Sequence, residues 1–335
     1  MVTTIIIVLC VGIGFLIFFL MKSIILPRRA VAAADLLDKN KILQAIRTAK
    51  AAIEKDPQNA EAHYLLGKAY LADKRDEQAF RAYRSAGRLG IEGKNIPETE
   101  FRETLARLFT QFNEEEEALK EYIILIKQHP DRPDYYFLAG KLFFLRGRSD
   151  LAEQYLRKAV SLNPKEAGYR FELGMFYYQS KRIKDAAAEF EAALKLDPAD
   201  AQFLLYMGKV LKDSKEFAEA IPYLEKASRD QGSKLRSLVE LGSCYMSLRM
   251  IDRAIAELER AVNCITGEAE PDSLYARYFL AMCFEKTGEF QKAIIQWDKI
   301  YAQKKNFRDV GEKLTQYIDY RVPNSEKETP KKKIN

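Results

Sequence analysis

One alanine, recurring at a fixed spacing, limits what this chain can fold into more than any other feature. With 34-residue units starting at residues 26, 60, 99, 133, 167, 201, 235 and 274, position 20 holds Ala45, Ala79, Ala118, Ala152, Ala186, Ala220, Ala254 and Ala293. Two steps are 39 residues instead of 34, with five extra residues around Lys94 to Glu98 and Ala269 to Ser273. Position 8 is always small: Ala33, Gly67, Ala106, Gly140, Gly174, Gly208, Gly242 and Ala281. A fixed period of this length marks stacked copies of one supersecondary unit, none of which buries its apolar face alone. Small residues at positions 8 and 20 let two antiparallel helices approach closely, where a larger side chain would push the axes apart.

Large residues fill in around them. Position 11 holds only Leu, Tyr or Phe, from Leu36 to Phe284, and position 24 runs from Tyr83 to Trp297, so both are read as core. Pro57, Pro130, Pro164 and Pro198 at position 32 end one helix and turn the chain into the next. Ile91 and Thr266 replace proline in the two units with longer connectors.

This pattern resembles the tetratricopeptide repeat (TPR) family over residues 26 to about 307. The resemblance implies an all-α, right-handed superhelical solenoid of about eight helix pairs within residues 26–321. The first unit departs most from the pattern, with Arg29 and Ala32 where bulky residues are usual, and is read as a partial cap. After the last unit, Phe307, Val310, Leu314, Tyr317 and Ile318 share one face, which predicts a capping helix over 307–321. Residues 322–335, with Lys331, Lys332 and Lys333, are poor in apolar residues and predict a disordered basic tail. Glu114 to Glu117 are read as a solvated turn.

Residues 1–25 predict a transmembrane helix. Met1 to Met21 carry no charge, and about 20 apolar residues of helix cross a hydrocarbon core of roughly 30 Å. A cleaved signal peptide, suggested by Ala30-Val31-Ala32, fits less well, because the positive charges follow the apolar core instead of preceding it. Lys22, Arg28 and Arg29 place the repeats in the cytoplasm by the positive-inside rule, at the inner membrane of a bacterial cell; a periplasmic orientation is the alternative.

Composition excludes more than it suggests. Lys plus Arg number 54 against 48 Asp plus Glu, for a net charge of +6, and the two ends carry most of that excess, so no basic groove for nucleic acid is expected. Two histidines and four cysteines without a Cys-x-x-Cys motif give little basis for a metal, a cofactor or an enzyme. His63 and His129 are read as structural, and Cys244 and Cys283 as free thiols.

The resemblance also implies that first-helix positions 2, 5, 9 and 12 line a concave groove. Position 9 supplies Lys68, Arg107, Lys141, Met175, Lys209, Ser243 and Met282, of which four are basic. Positions 5 and 12 supply Tyr64, Phe137, Phe144, Phe171, Tyr178, Leu205 and Tyr278. The competing reading is that many of these pack between units. The expected function is a membrane-anchored scaffold or adaptor whose groove binds segments of other proteins, apolar and acidic ones above all. A periplasm-facing scaffold of an envelope or motility complex is the alternative. A chaperone-tail receptor fits poorly, since position 9 offers no Asn. Bacterial inner-membrane assembly factors of lipopolysaccharide control share the expected layout, but end in a Cys-x-x-Cys domain that this chain lacks.

Overall fold

The computed structural model describes residues 32–92, 95–266 and 271–321, and among them every regular element is a helix. They divide into two compact units, one ending at Leu162 and the other starting at Asn163. The first unit holds α1 (32–38), α2 (Ile42–Lys55), α3 (Ala60–Ala72), α4 (Asp76–Arg88), α5 (Glu98–Gln111), α6 (Glu115–Gln128), α7 (Pro133–Leu145) and α8 (Ser149–Leu162). The second holds α9 (Ala167–Gln179), α10 (Ile183–Leu196), α11 (Ala201–Asp213), α12 (Phe217–Ala227), α13 (Lys234–Ser247) and α14 (Ile251–Asn263). It continues with α15 (Pro271–Thr287), α16 (Phe290–Gln303), α17 (Val310–Gln316) and α18 (Ile318–Arg321). Within each unit, helices pair in chain order: α3 with α4, α5 with α6 and α7 with α8, then α9 with α10 through α15 with α16.

The small-residue pattern finds its cause inside each pair. All eight position 20 alanines are fully buried. A Cβ built on Gly174 would lie 2.6 Å from Phe190 Cε1, and one on Gly242 only 2.5 Å from Leu258 Cγ. The position 24 side chain therefore sits directly on the position 8 glycine, not in a hole beside it. Burying such a knob contributes about 2 to 3 kcal/mol relative to leaving it exposed.

Each hairpin turns at position 15, where Asn40, Lys74, Asn113, Gly147, Lys181, Lys215, Arg249 and Gly288 all have φ between 55° and 80°. This left-handed residue lets the next amide reach back to position 11: Arg182 N–H donates to the Tyr177 carbonyl at 2.9 Å and Arg75 N–H to that of Tyr70 at 2.9 Å. Carbonyls left over at the helix end are satisfied in this way.

Two expectations are corrected here. Glu115, Glu116 and Glu117 form the first turn of α6, with Glu114 at its N-cap, rather than a turn between helices. The helix macrodipole accounts for this, since carboxylates are favoured at an N-terminus. The C-terminal cap is two short helices, α17 and α18, and not one helix over 307–321. Phe307, Val310, Leu314 and Tyr317 are buried as the apolar stripe requires, but the break rotates Ile318 outward to 58% exposure. Among the described residues no helix is long and apolar enough to cross a membrane. The predicted span at 1–25, the start of the first repeat at 26 and the tail at 322–335 lie outside the described residues.

Candidate functional site

The first helix of each repeat presents positions 5, 9 and 12 along one stripe, since residues three and four apart are neighbours on a helix. The structure divides the groove candidates on this stripe. Tyr64, Leu205 and Tyr278 are buried, so they are packing residues and not open surface. Phe137, Lys68, Phe144, Phe171, Met175, Tyr178 and Lys209 are half-buried, while Arg107 and Lys141 are exposed.

Burial of the tyrosines follows from their hydroxyls. Tyr64 donates to Glu100 at 3.2 Å and Tyr278 to Asp309 at 2.8 Å, in each case a carboxylate supplied by the next segment of chain. Tyr178 likewise donates to Asp213 at 2.7 Å. Burial first, then the neighbouring Glu100 charge, pushes the Tyr64 hydroxyl well above its ordinary value; for Tyr178, burial and the Asp213 carboxylate do the same. Both remain neutral hydrogen-bond donors at physiological pH.

The basic stripe is corrected too. Lys68 lies 3.0 Å from Glu100, and Lys209 lies 3.4 Å from Glu240, which also pairs with Lys212. Lysines also lie over aromatic faces: Lys68 over Tyr64 at 5.5 Å, Lys141 over Phe137 at 5.2 Å and Lys209 over Tyr206 at 5.4 Å. Lys68 and Lys209 therefore spend their charge within the fold.

What remains open is mixed: Arg107 and Lys141 are exposed cations, and the half-buried aromatic residues lie beside them on the same stripe. In the second unit a recess of about 200 Å³ lies among Phe171, Met175, Leu205 and Tyr206, with the polar residues Glu172, Gln202, Ser233 and Arg236 also lining it. Phe171 stacks on Phe203 at 4.8 Å and meets the edge of Tyr206 at 5.5 Å, so the wall is held by ring contacts from α9 and α11. Arg236 is turned to Asp272 at 2.9 Å. Tyr206, at position 6, was missed from the sequence because the position 5 and 9 stripe passes beside it. In the first unit, Phe137, Lys141 and Phe144 share one face of α7.

The remaining chemical candidates are structural. The His63 ring Nε2 lies 3.1 Å from the Pro57 carbonyl, and His129 Nε2 lies 3.1 Å from Thr99 Oγ1. Cys244, Cys264 and Cys283 are free thiols. Burial pushes the Cys244 thiol up to about 12 and the Cys283 thiol up to about 11, which leaves both protonated and unreactive near neutral pH. No group of three or more His, Cys, Asp and Glu among the described residues is placed to hold a metal ion.

Comparison with known proteins now bears on this geometry. A search of curated proteins finds no match to the chain. Among solved structures, it is similar to the APC/C hetero-tetramer Cut9-Hcn1 at 17% identity and a TM-score of 0.55, covering 82% of this chain and 52% of that one. It is similar to yeast Tom70 at 16% identity and a TM-score of 0.50, covering 87% of this chain and 61% of that one. It thus spans about half and three-fifths of those relatives, and the likeness is one of fold. The tetratricopeptide repeat model matches residues 31–90, 104–167, 205–268 and 266–308, and a second model of the same repeat matches 143–210. With more than half of its length matched, the chain belongs to the tetratricopeptide repeat family, whose members mediate protein–protein interactions and bind peptides.

Proposed function

We propose that this protein is a membrane-anchored scaffold that holds partner proteins by segments docked on the first-helix face of its repeats. The observation that carries the reading is the recess among Phe171, Met175 and Tyr206, where Arg236 is paired with Asp272 and Glu172 is a further lining carboxylate. Such a recess suits an apolar side chain, because a carboxylate there would compete with Asp272 for Arg236 and meet the like charge of Glu172. Apolar anchors in desolvated pockets commonly dominate the affinity of protein interfaces. The uncharged residues 1–21, followed by Lys22, Arg28 and Arg29, support anchoring by residues 1–25 in the inner membrane with the repeats in the cytoplasm.

Partner capture tests it. Crosslinking and purification from native membranes should recover a protein whose binding falls about ten- to a hundredfold, or roughly 1 to 3 kcal/mol, in Met175→Arg. Met175 is half-buried at the recess, so the arginine reaches solvent and the fold is retained. Wild-type binding by a folded Met175→Arg protein would move recognition off this face. Reporter fusions to the C-terminus read the orientation, and a periplasmic signal would reverse the topology.

A further inference from the structure

Away from the stripe of positions 5, 9 and 12, positions 4 and 23, 19 residues apart, meet in the repeats starting at 99, 133, 167 and 274. In three repeats this contact is a polar clasp rooted in arginine. Arg102 meets Glu121 at 2.7 Å, Arg170 meets Glu189 at 3.3 Å, and Arg277 donates to Gln296 at 3.1 Å. The repeat starting at 133 has no such clasp. Its two positions hold Tyr136 and Tyr155, with ring centroids 5.9 Å apart and planes inclined at 43°.

A recess of about 570 Å³ opens there, bounded by Tyr136, Tyr155 and Ile126 on its apolar side and by Arg157 and Lys158 on its rim. Both tyrosines are half-buried, and Tyr155 is backed by Phe143 at 4.9 Å, so the ring is braced from behind while facing outward. Arg157 and Lys158 are exposed; Glu153, the rim's carboxylate, lies 3.5 Å from Arg157, whose side chain is 65% exposed. The rim is thus net positive around an aromatic floor. Arg157 is paired with Glu153, and Lys158 adds a further exposed cation to the rim.

We propose that the Tyr136–Tyr155 recess is a second docking site, which takes an acidic protein segment with one aromatic or large aliphatic side chain seated against the two rings. Ring stacking and apolar burial hold the anchor, and carboxylates flanking it face Arg157 and Lys158. This recess and the recess around Met175 share no residue, so one chain has room for two segments.

The experiment is a peptide-display selection on the full-length protein, counter-selected on the double variant Tyr136→Arg/Tyr155→Glu. That variant installs the side-chain pair that Arg102 with Glu121 and Arg170 with Glu189 already form in sister repeats, so it folds and closes the recess. The expected result is enriched peptides carrying Asp or Glu around an aromatic or aliphatic residue. Their binding should fall at least tenfold in the double variant and in Lys158→Glu, remain unchanged in Met175→Arg, and weaken with salt. The proposal is overturned if no peptide prefers the wild type over the double variant, if the preferred peptides are not acidic, or if Lys158→Glu leaves their affinity unchanged. Loss of binding in Met175→Arg alone would assign the peptides to the first-helix recess and equally overturn it.

Discussion

The contact between position 8 and position 24 makes a prediction whose sign differs between two glycines. At Gly174, in the interior of α9, an added methyl lies 2.6 Å from Phe190 Cε1 and 2.7 Å from Cδ1. Ordinary contact begins near 3.4 Å, so the ring must move by most of an ångström. It has little room, being fully buried and in contact with Phe171 at 5.5 Å and Tyr206 at 5.9 Å. Overpacking of this kind costs about 1 to 3 kcal/mol, against which alanine recovers about 1 kcal/mol of helix propensity. Gly174→Ala is therefore expected to destabilise, by up to about 2 kcal/mol. Gly87→Ala is the control: its nearest foreign atom, Leu105 Cδ2, is at 3.4 Å, so the propensity gain is nearly unopposed. At the last turn of α4 this should stabilise by about 0.5 kcal/mol. Urea unfolding followed by far-ultraviolet circular dichroism, with unchanged slope, reads both. Two shifts of the same sign would refute the argument that contact at position 24, rather than glycine's backbone freedom, selects Gly at position 8.

The other expectations follow from the turns, the thiols and the C-terminal cap. Lys181 holds φ 62°; Lys181→Gly should stabilise by about 0.5 to 1 kcal/mol in the same unfolding assay, since a left-handed non-glycine residue costs about 1 to 2 kcal/mol and glycine's added chain entropy returns part of it. Buried Cys244 and Cys283 should resist a thiol reagent at neutral pH while half-buried Cys264 reacts, as mapped by mass spectrometry. Folded pKa values raised from 9.0 to about 12 and about 11 favour the neutral thiol, so stability from these groups is complete below about pH 9 and declines as pH rises toward 11 and beyond. Cys244→Ala/Cys283→Ala should flatten part of that alkaline decline. Trp297, the only tryptophan, is fully buried and contacts Tyr278 at 5.3 Å, which in turn meets Phe307 at 5.9 Å. Ending the chain at Asn306 should shift Trp297 emission to longer wavelength and promote aggregation; unchanged emission from a monodisperse protein would show that the cap is dispensable.

What was legible in the sequence is what lies inside one helix pair. Ala186 and Gly174 reveal themselves by size alone, because no larger residue fits where they stand and the same restriction recurs at each period. The position 15 turn was not legible, since six of its eight residues are Asn, Lys or Arg and not Gly. Its left-handed backbone is held by the bond from position 16 back to position 11, which places no demand on the side chain. Which groove candidates pack inward was not legible for a different reason. Tyr64 and Tyr278 occupy a position expected to line the groove, but their hydroxyl partners, Glu100 and Asp309, are 36 and 31 residues away. A pattern read within one repeat cannot show that a hydroxyl will be buried by a carboxylate of the next. Contacts that close a helix pair impose a residue type at every period, whereas contacts between neighbouring repeats admit several solutions. The Arg102–Glu121 clasp and the Tyr136–Tyr155 recess are two solutions to the same 19-residue spacing. Function follows the second kind of contact, because the positions free to differ from one repeat to the next are those at which one repeat of a solenoid acquires a surface that its neighbours lack.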